Sequence, residues 1–198
     1  LVTRAAYEIA LQEDQEAING DGTATYGNEM GLLSSLGTGG IVDQATGNTF
    51  DAIVLSDFTS AMSLLPAQHN RGGTSWLCSS AFYYDVMVRV LAAAGGNTMV
   101  VLETGAADQM PSFLGRPVHL TPAMPQTTAV DQVSCLYGKF DDAIILGDRQ
   151  AVSIGISADR YFDEDVTAVR LTERIDWNVH ESGDASDAGA YVGLSTGS

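Results

Sequence analysis

Few residues of this sequence could perform chemistry, and the first candidate is a serine. Residues 193–197 read Gly-Leu-Ser-Thr-Gly, which matches the G-x-S-x-G pattern of a nucleophile elbow. An elbow requires a helix directly after the serine and a histidine later in the chain. Only Ser198 follows Gly197. We therefore predict a flexible tail here and no nucleophilic catalysis at Ser195.

A second candidate is the run Asn-Gly-Asp-Gly at residues 19–22, which imitates the start of a calcium-binding loop. In the twelve-position scheme the first ligand falls on Ala17 and the last on Asn28. Because both end ligands are lost, the bidentate carboxylate that such a loop needs is missing. The run is predicted to be a turn that ends a helix.

The remaining titratable residues form no recognisable site. His69, His119 and His180 belong to no H-E-x-x-H or C-x-x-C pattern, so no zinc site is predicted. The glycine-rich turn at residues 37–40 lacks the spacing of a phosphate-binding loop. Acidic runs are usually solvated surfaces, and nothing indicates that the acidic candidates converge: Glu16, Asp108 and residues 163–165. The sequence predicts no catalytic residue, no cofactor and no metal.

Composition narrows the class of protein. A chain of 198 residues with 45% hydrophobic residues fits one domain or two small subdomains. The net charge of −16 argues against nucleic-acid binding, which needs clustered lysine and arginine. No apolar run could span a membrane, and no signal peptide is recognisable. Because the sequence starts at Leu1 rather than methionine, we expect a processed product or a fragment.

The two cysteines, Cys78 and Cys135, both lie in apolar runs. The simpler interpretation is that both are buried thiols of a protein made in a reducing compartment. A disulfide between them is geometrically possible only if their two strands meet.

The spacing of apolar residues predicts three helices, at about 1–18, 51–65 and 81–94, and these helices must position the candidate residues named above. Ser79 or Ser80 caps the third helix, and residues 95–96 end it. The predicted buried faces are Ile53, Val54, Phe58, Ala61, Met62 and Leu65 in the second helix, and Phe82, Val86, Val90 and Ala93 in the third.

Strands are predicted at 41–42, 75–78, 97–102, 117–120, 133–137, 143–146 and 150–156. The clearest strand comes last, because residues 169–179 alternate between apolar and polar side chains. Glu173 interrupts the apolar side.

The segment from Phe113 to Pro125 is a structural joint. Gly115 permits a tight turn, Pro117 fixes the start of an extended segment, and Pro122 and Pro125 end it. It resembles the Leu-Leu-Gly-x-Pro-Val…Met-Pro segment of the major capsid proteins of tailed bacteriophages, which have the Hong Kong-97-type fold. Further resemblances occur in the order that the family uses, at residues 17–22, 31–33, 76–80, 136–140, 146–149, 160–162 and 190–194.

The resemblance implies an α+β Hong Kong-97-type capsid fold in two parts. A peripheral domain of residues 1–50 and 153–180 would hold a long spine helix and a long-stranded sheet. An axial domain of residues 51–152 and 181–198 would be a compact unit of helix and sheet. The N-terminal arm and extended loop that the family carries before the spine helix are absent from this sequence.

The resemblance further implies a structural protein rather than an enzyme. It would be a major capsid subunit that self-assembles into pentamers and hexamers of an icosahedral head. The head would enclose double-stranded DNA without sequence-specific binding, and portal, scaffold or decoration proteins would be its other partners. The expected location is the virion capsid, assembled in the bacterial host cytoplasm, with no membrane partner.

Some family members crosslink their shells through an isopeptide bond between a lysine and an asparagine, assisted by a glutamate. Here the assisting position falls on Thr172 and the acceptor near Asp165, while the single lysine, Lys139, lies outside the extended loop. Glu173 is one residue off and would turn to the opposite strand face. A non-crosslinking shell is therefore expected.

Arg170, Arg174 and Asp176 lie on the polar face of the last long strand and are the candidates for inter-subunit contact. The alternative for these three residues is an ordinary solvated strand face. At the level of the whole protein, an encapsulin-type nanocompartment shell is the second hypothesis, and a soluble acidic hydrolase is a remote third.

Overall fold

A computed structural model describes residues 2–44, 49–93, 110–164 and 166–197. Its centre is a six-stranded mixed sheet with the strand order β1-β8-β5-β2-β4-β3. The strands of this sheet are β1 (Ile41–Asp43), β2 (Ser75–Cys78), β3 (Ser112–Phe113), β4 (Arg116–Leu120), β5 (Val133–Gly138) and β8 (Tyr191–Ser195). The pairs β1–β8 and β2–β4 are parallel, and the other neighbours are antiparallel.

Six helices surround the sheet: α1 (Val2–Asn19), α2 (Leu32–Ser35), α3 (Leu55–Leu64), α4 (Ser80–Phe82), α5 (Arg89–Ala93) and α6 (Phe140–Ala143), within the described residues. A π-helical segment, Tyr83–Val88, joins α4 to α5. Ser79 caps α4 as predicted, because its hydroxyl accepts the N–H of Phe82 at 3.2 Å.

The second predicted helix is shorter than expected. Residues Phe50–Ala52 form a 3₁₀ turn, and α3 begins only at Leu55 because the Asp57 carboxylate accepts the backbone N–H of Val54 at 2.8 Å. Val54 therefore lies outside the helix and is exposed, contrary to prediction, and Ala93 at the end of α5 is exposed as well.

The sheet has a hydrophobic core on each face because alternate residues of its strands point to opposite sides. On one face Trp76, Tyr137 and Leu194 pack with Phe58 of α3 and Phe82 of α4. On the other face lies a separate core, formed by Ile18, Leu32, Leu36, Ala123, Met124, Leu136, Ala143, Ala190 and Tyr191. Helix α1 thus joins the sheet through its last turn.

The joint between β3 and β4 has the turn that its glycine predicts. Leu114 and Gly115 both have positive φ, 49° and 75°, which is the backbone of a two-residue hairpin turn. Pro117 then lies within β4 and pairs with Ser112. Phe113, directly before the turn, is almost fully buried. The segment therefore anchors one end of the sheet to the core.

A long antiparallel ribbon, formed by β6 (Ile144–Tyr161) and β7 (Val166–Val179), makes a second sheet. The two strands predicted at 143–146 and 150–156 are parts of one strand. The polar residues between them stay paired with β7, and register irregularities on either side of Gln150 accommodate them. The predicted domain boundary at 152/153 falls inside β6, and β1 pairs with β8 across the predicted boundary at 50/51. The division into two domains stays a prediction.

The C-terminal residues are not a tail. Strand β8 pairs with β1 on one side and β5 on the other, and all five of its residues are buried. The predicted strand at 97–102, the helix stop at 95–96, and the residues Asp108 and Asp165 lie outside the described residues. Among the described helices, none combines the length and the apolar character that crossing a bilayer requires.

Candidate functional site

The β6–β7 ribbon exposes a row of large apolar side chains. Val152, Ile154 and Ile156 alternate along β6 and are 42%, 48% and 71% exposed. The register pairs Ile154 with Leu171 and Ile156 with Val169, so the row is apolar across both strands. A two-stranded ribbon is marginally stable by itself, and such exposure marks an interaction surface. We call Val152, Ile154 and Ile156 the apolar row.

Three predicted contact residues lie on β7. Arg170, Arg174 and Asp176 are exposed and occupy alternate positions, so they share one face of the strand. In the register, Arg170 lies opposite Gly155 and Asp176 lies opposite Gly147. Neither glycine has a side chain that could cover its partner. Within the described residues neither arginine forms an ion pair. The structure therefore places the three residues along one open strand face and does not bring them together at a point.

Two carboxyl pairs join β7 to the N-terminal elements. Glu13 of α1 shares a hydrogen bond with Glu173, and Glu29, which precedes α2, shares one with Asp176. Burial, this hydrogen bond, and repulsion from Glu173, Asp14 and Glu16 together raise the pKa of Glu13 to about 7. Burial, with the charge of Asp176 second, also raises the pKa of Glu29. Glu173 thus interrupts the apolar side of β7, as predicted, and its carboxyl group pairs there with that of Glu13.

The Glu13–Glu173 pair makes stability depend on pH. The folded protein holds the Glu13 proton more tightly than the unfolded chain, whose glutamate pKa is about 4.3. Below that value both states are protonated, and as pH rises towards 7 the folded state loses stability relative to the unfolded state. We expect the urea midpoint of the wild type to fall between about pH 4 and pH 7 and Glu13→Gln to flatten that fall. Glu8→Gln, on the same helix, is the control, and equal slopes in wild type and Glu13→Gln would contradict the prediction.

A polar cluster connects three segments of the chain, those that contain His69, Asp142 and Glu181. The Nδ1 atom of His69 lies 3.2 Å from Asp142 and its Nε2 atom lies 4.0 Å from Glu181. Lys139 donates to both oxygens of Asp142 at 2.7 and 2.8 Å. Hydrogen bonds from Lys139 and His69 hold the pKa of Asp142 below its usual range. The only lysine of the sequence is thus tied into a structural ion pair.

The other chemical candidates have structural roles. Ser195 is buried in β8 and donates its hydroxyl proton to the Thr196 carbonyl at 3.0 Å, so its hydroxyl is not presented at an exposed turn. Asp21 accepts the N–H of Thr23 at 2.9 Å, as expected of a turn. His119 lines an open cleft of about 730 Å³ together with Arg116 and Asp14. Nowhere in the described ranges do three or more His, Cys, Asp or Glu side chains gather as metal ligands would.

The model of the phage capsid family matches residues 1–183. The chain belongs to the phage capsid family. The resemblance noted at the Phe113–Pro125 segment is thereby confirmed. No curated protein matches this capsid-family chain significantly.

Three solved structures share the fold of this chain. A chain from the capsid of an empty GTA particle is 19% identical, with a TM-score of 0.68 over 100% of this chain and 65% of that chain. A chain of Mycobacterium phage Adephagia is 19% identical, with a TM-score of 0.62 over 99% and 65%. The SrpI encapsulin from Synechococcus elongatus PCC 7942 is 14% identical, with a TM-score of 0.63 over 98% and 63%. These likenesses confirm the α+β Hong Kong-97-type fold, and the capsid-family chain spans about 65% of the length of the GTA chain and of the Adephagia chain.

Two features of the capsid-family chain are not among the sequence predictions. The apolar row is visible as period-2 alternation at residues 152–156, inside a predicted strand, but the sequence does not show that its apolar face stays exposed. The Glu13–Glu173 contact has no sequence signal, because the two residues are far apart in the chain and meet only through the fold.

Proposed function

We propose that the protein is the major capsid subunit of a tailed phage and self-assembles into pentamers and hexamers of an icosahedral head. The observation that carries the proposal is the family match over residues 1–183, on a chain with an exposed apolar row. One similar chain comes from the capsid of an empty GTA particle, which supports self-assembly into a shell with repeated symmetric contacts. Sedimentation velocity of the complete subunit tests this: rings and shells are expected, and a monomer at every concentration would contradict it.

The proposed assembly has the partners and location that the resemblance implies. The head encloses double-stranded DNA, and the net charge of −16 fits a wall to which packed DNA does not adhere. Portal, scaffold or decoration proteins complete it, and the subunit belongs to the virion capsid after assembly in the host cytoplasm. We propose a structural role and no catalytic activity.

The two-domain arrangement is part of the same proposal. The sequence resemblance assigns residues 1–50 and 153–180 to a peripheral domain, and residues 51–152 and 181–198 to an axial domain. The long ribbon and the long helix α1 support a peripheral unit, while the six-stranded sheet supports an axial one. The pairing of β1 with β8 and the continuity of β6 favour moving the boundaries to about residues 40 and 143.

We further propose that Arg170, Arg174 and Asp176 contact a neighbouring subunit. Two exposed arginines on an acidic protein favour a carboxylate-rich partner surface, which a second copy supplies. Arg170→Glu with Arg174→Glu is expected to slow assembly at least tenfold at low salt, with little change in unfolding midpoint. Light scattering during assembly measures this. Arg71→Glu, in an exposed loop, is the single-site control, and normal assembly of the double variant would refute the contact.

An encapsulin-type shell is the second candidate, and the fold shared with the SrpI encapsulin favours it. Both functions require self-assembly, so the contents of the particle distinguish them. Nuclease-protected double-stranded DNA in particles from the native source supports the phage head. A co-purifying enzyme in place of DNA supports the nanocompartment.

A further inference from the structure

The two cysteines of the sequence meet in the core of the sheet. Cys78 of β2 and Cys135 of β5 are direct partners in the antiparallel register. Both are free thiols and fully buried. Trp76 and Tyr137, two residues away on each strand, have ring centroids 4.4 Å apart, so this row of side chains points into one core.

The register satisfies the main geometric condition for a disulfide. Opposed residues in an antiparallel pair have Cα atoms about 4.5 or 5.5 Å apart, and disulfides occur at about 4.4–6.8 Å. The Cβ atoms of opposed strand residues are in general about 4.5–5.5 Å apart, whereas the two Cβ atoms of a disulfide are about 3.5–4.5 Å apart. Closure therefore needs a small local shift. On its other side, β5 has a register irregularity against β8 between Val133 and Cys135, so the strand that carries Cys135 is not uniformly regular.

We propose that Cys78 and Cys135 are a latent intrachain disulfide, open in a reducing compartment and closed by a small oxidant such as hydrogen peroxide. One thiol is oxidised to a sulfenic acid while peroxide is reduced to water. The second sulfur attacks the sulfenic sulfur, the S–S bond forms, and hydroxide leaves and takes the remaining thiol proton as a second water. The timing rests on the proposed function, because a capsid subunit is made in the cytosol and later leaves the cell.

Burial controls the rate of this reaction. Burial and the hydrogen bond to Cys78 raise the pKa of the Cys135 thiol, so the reactive thiolate is scarce while the core is closed. Oxidation must then follow local opening of the β2–β5 region and is expected to be slow. The closed bond crosslinks the chain across the segment that contains α4, α5, β3 and β4. That crosslink restricts the unfolded chain and is expected to raise Tm by about 5–10 °C.

The test treats the full-length protein with hydrogen peroxide, then denatures it, alkylates free thiols and measures mass. The expected result is a loss of 2 Da without alkylation, a Cys78–Cys135 linked peptide, and a Tm increase that dithiothreitol reverses. Cys78→Ala should show neither the mass loss nor the Tm increase.

Three outcomes would overturn the proposal: two alkylated thiols after oxidation, sulfinic acid at either position, or disulfide-linked dimers. Electron microscopy of the same samples reports assembly separately. Shells whose cysteines stay reduced would remove the disulfide and leave the proposed function. A subunit that forms the disulfide but does not assemble would support the disulfide and contradict the proposed function.

Discussion

Trp76→Ala is expected to lower the free energy of unfolding by about 3–5 kcal/mol, a large part of the roughly 5–15 kcal/mol available to a folded domain. Trp76 is fully buried and contacts three aromatic rings, those of Phe58, Phe113 and Tyr137. Its indole N–H also donates to the Phe113 carbonyl at 3.2 Å. Truncation leaves a cavity between α3 and the sheet and an unpaired carbonyl. Urea denaturation followed by circular dichroism measures the change.

Tyr84→Ala is the matched control, because Tyr84 is an aromatic residue that is 62% exposed. It should change stability by no more than about 0.5 kcal/mol. If Trp76→Ala lowered the free energy of unfolding as little as Tyr84→Ala, Trp76 would not be packed in the core on this face of the sheet.

The second prediction concerns the apolar row. Ile154→Lys with Ile156→Lys is expected to abolish shell assembly while the subunit remains folded. Both side chains are largely exposed in the isolated chain, so folding loses little. In an assembly that covers the row, each lysine would have to be desolvated without a designed partner, and this cost recurs at every equivalent contact. Size-exclusion chromatography with light scattering measures assembly, and circular dichroism measures folding.

Thr59→Lys with Ser63→Lys is the charge-matched control, since it also adds two lysines at exposed positions, on α3. This variant should assemble. Normal shells from the Ile154 and Ile156 variant would show that the apolar row stays outside every subunit contact.

Local signals predicted much of the fold. The Ser79 cap, the Leu114–Gly115 turn and the alternation in β7 are each specified by a few neighbouring residues, and each is present. The errors arose where tertiary structure decides. Residues 193–197 were predicted to form a tail because only one residue follows Gly197. Gly193 and Ser195 instead belong to a buried strand, in which a Cβ on Gly193 would lie 2.6 Å from Leu36.

The candidate site was less predictable than the fold. The alternation in β7 placed Arg170, Arg174 and Asp176 on one face, because strand periodicity is local. The pairing of Glu13 with Glu173, and of Cys78 with Cys135, depends on contacts between distant segments. A single sequence carries no signal for such contacts. For the cysteine pair the sequence sets only a condition, which is that the two strands meet, and the pairing of β2 with β5 meets that condition.

Electron microscopy of the purified complete subunit at assembly concentrations is the decisive test of the capsid proposal. We expect uniform icosahedral shells, hollow or filled with DNA, built from rings of subunits. A monodisperse monomer that forms no rings, even with crowding agents or scaffold protein present, would contradict it.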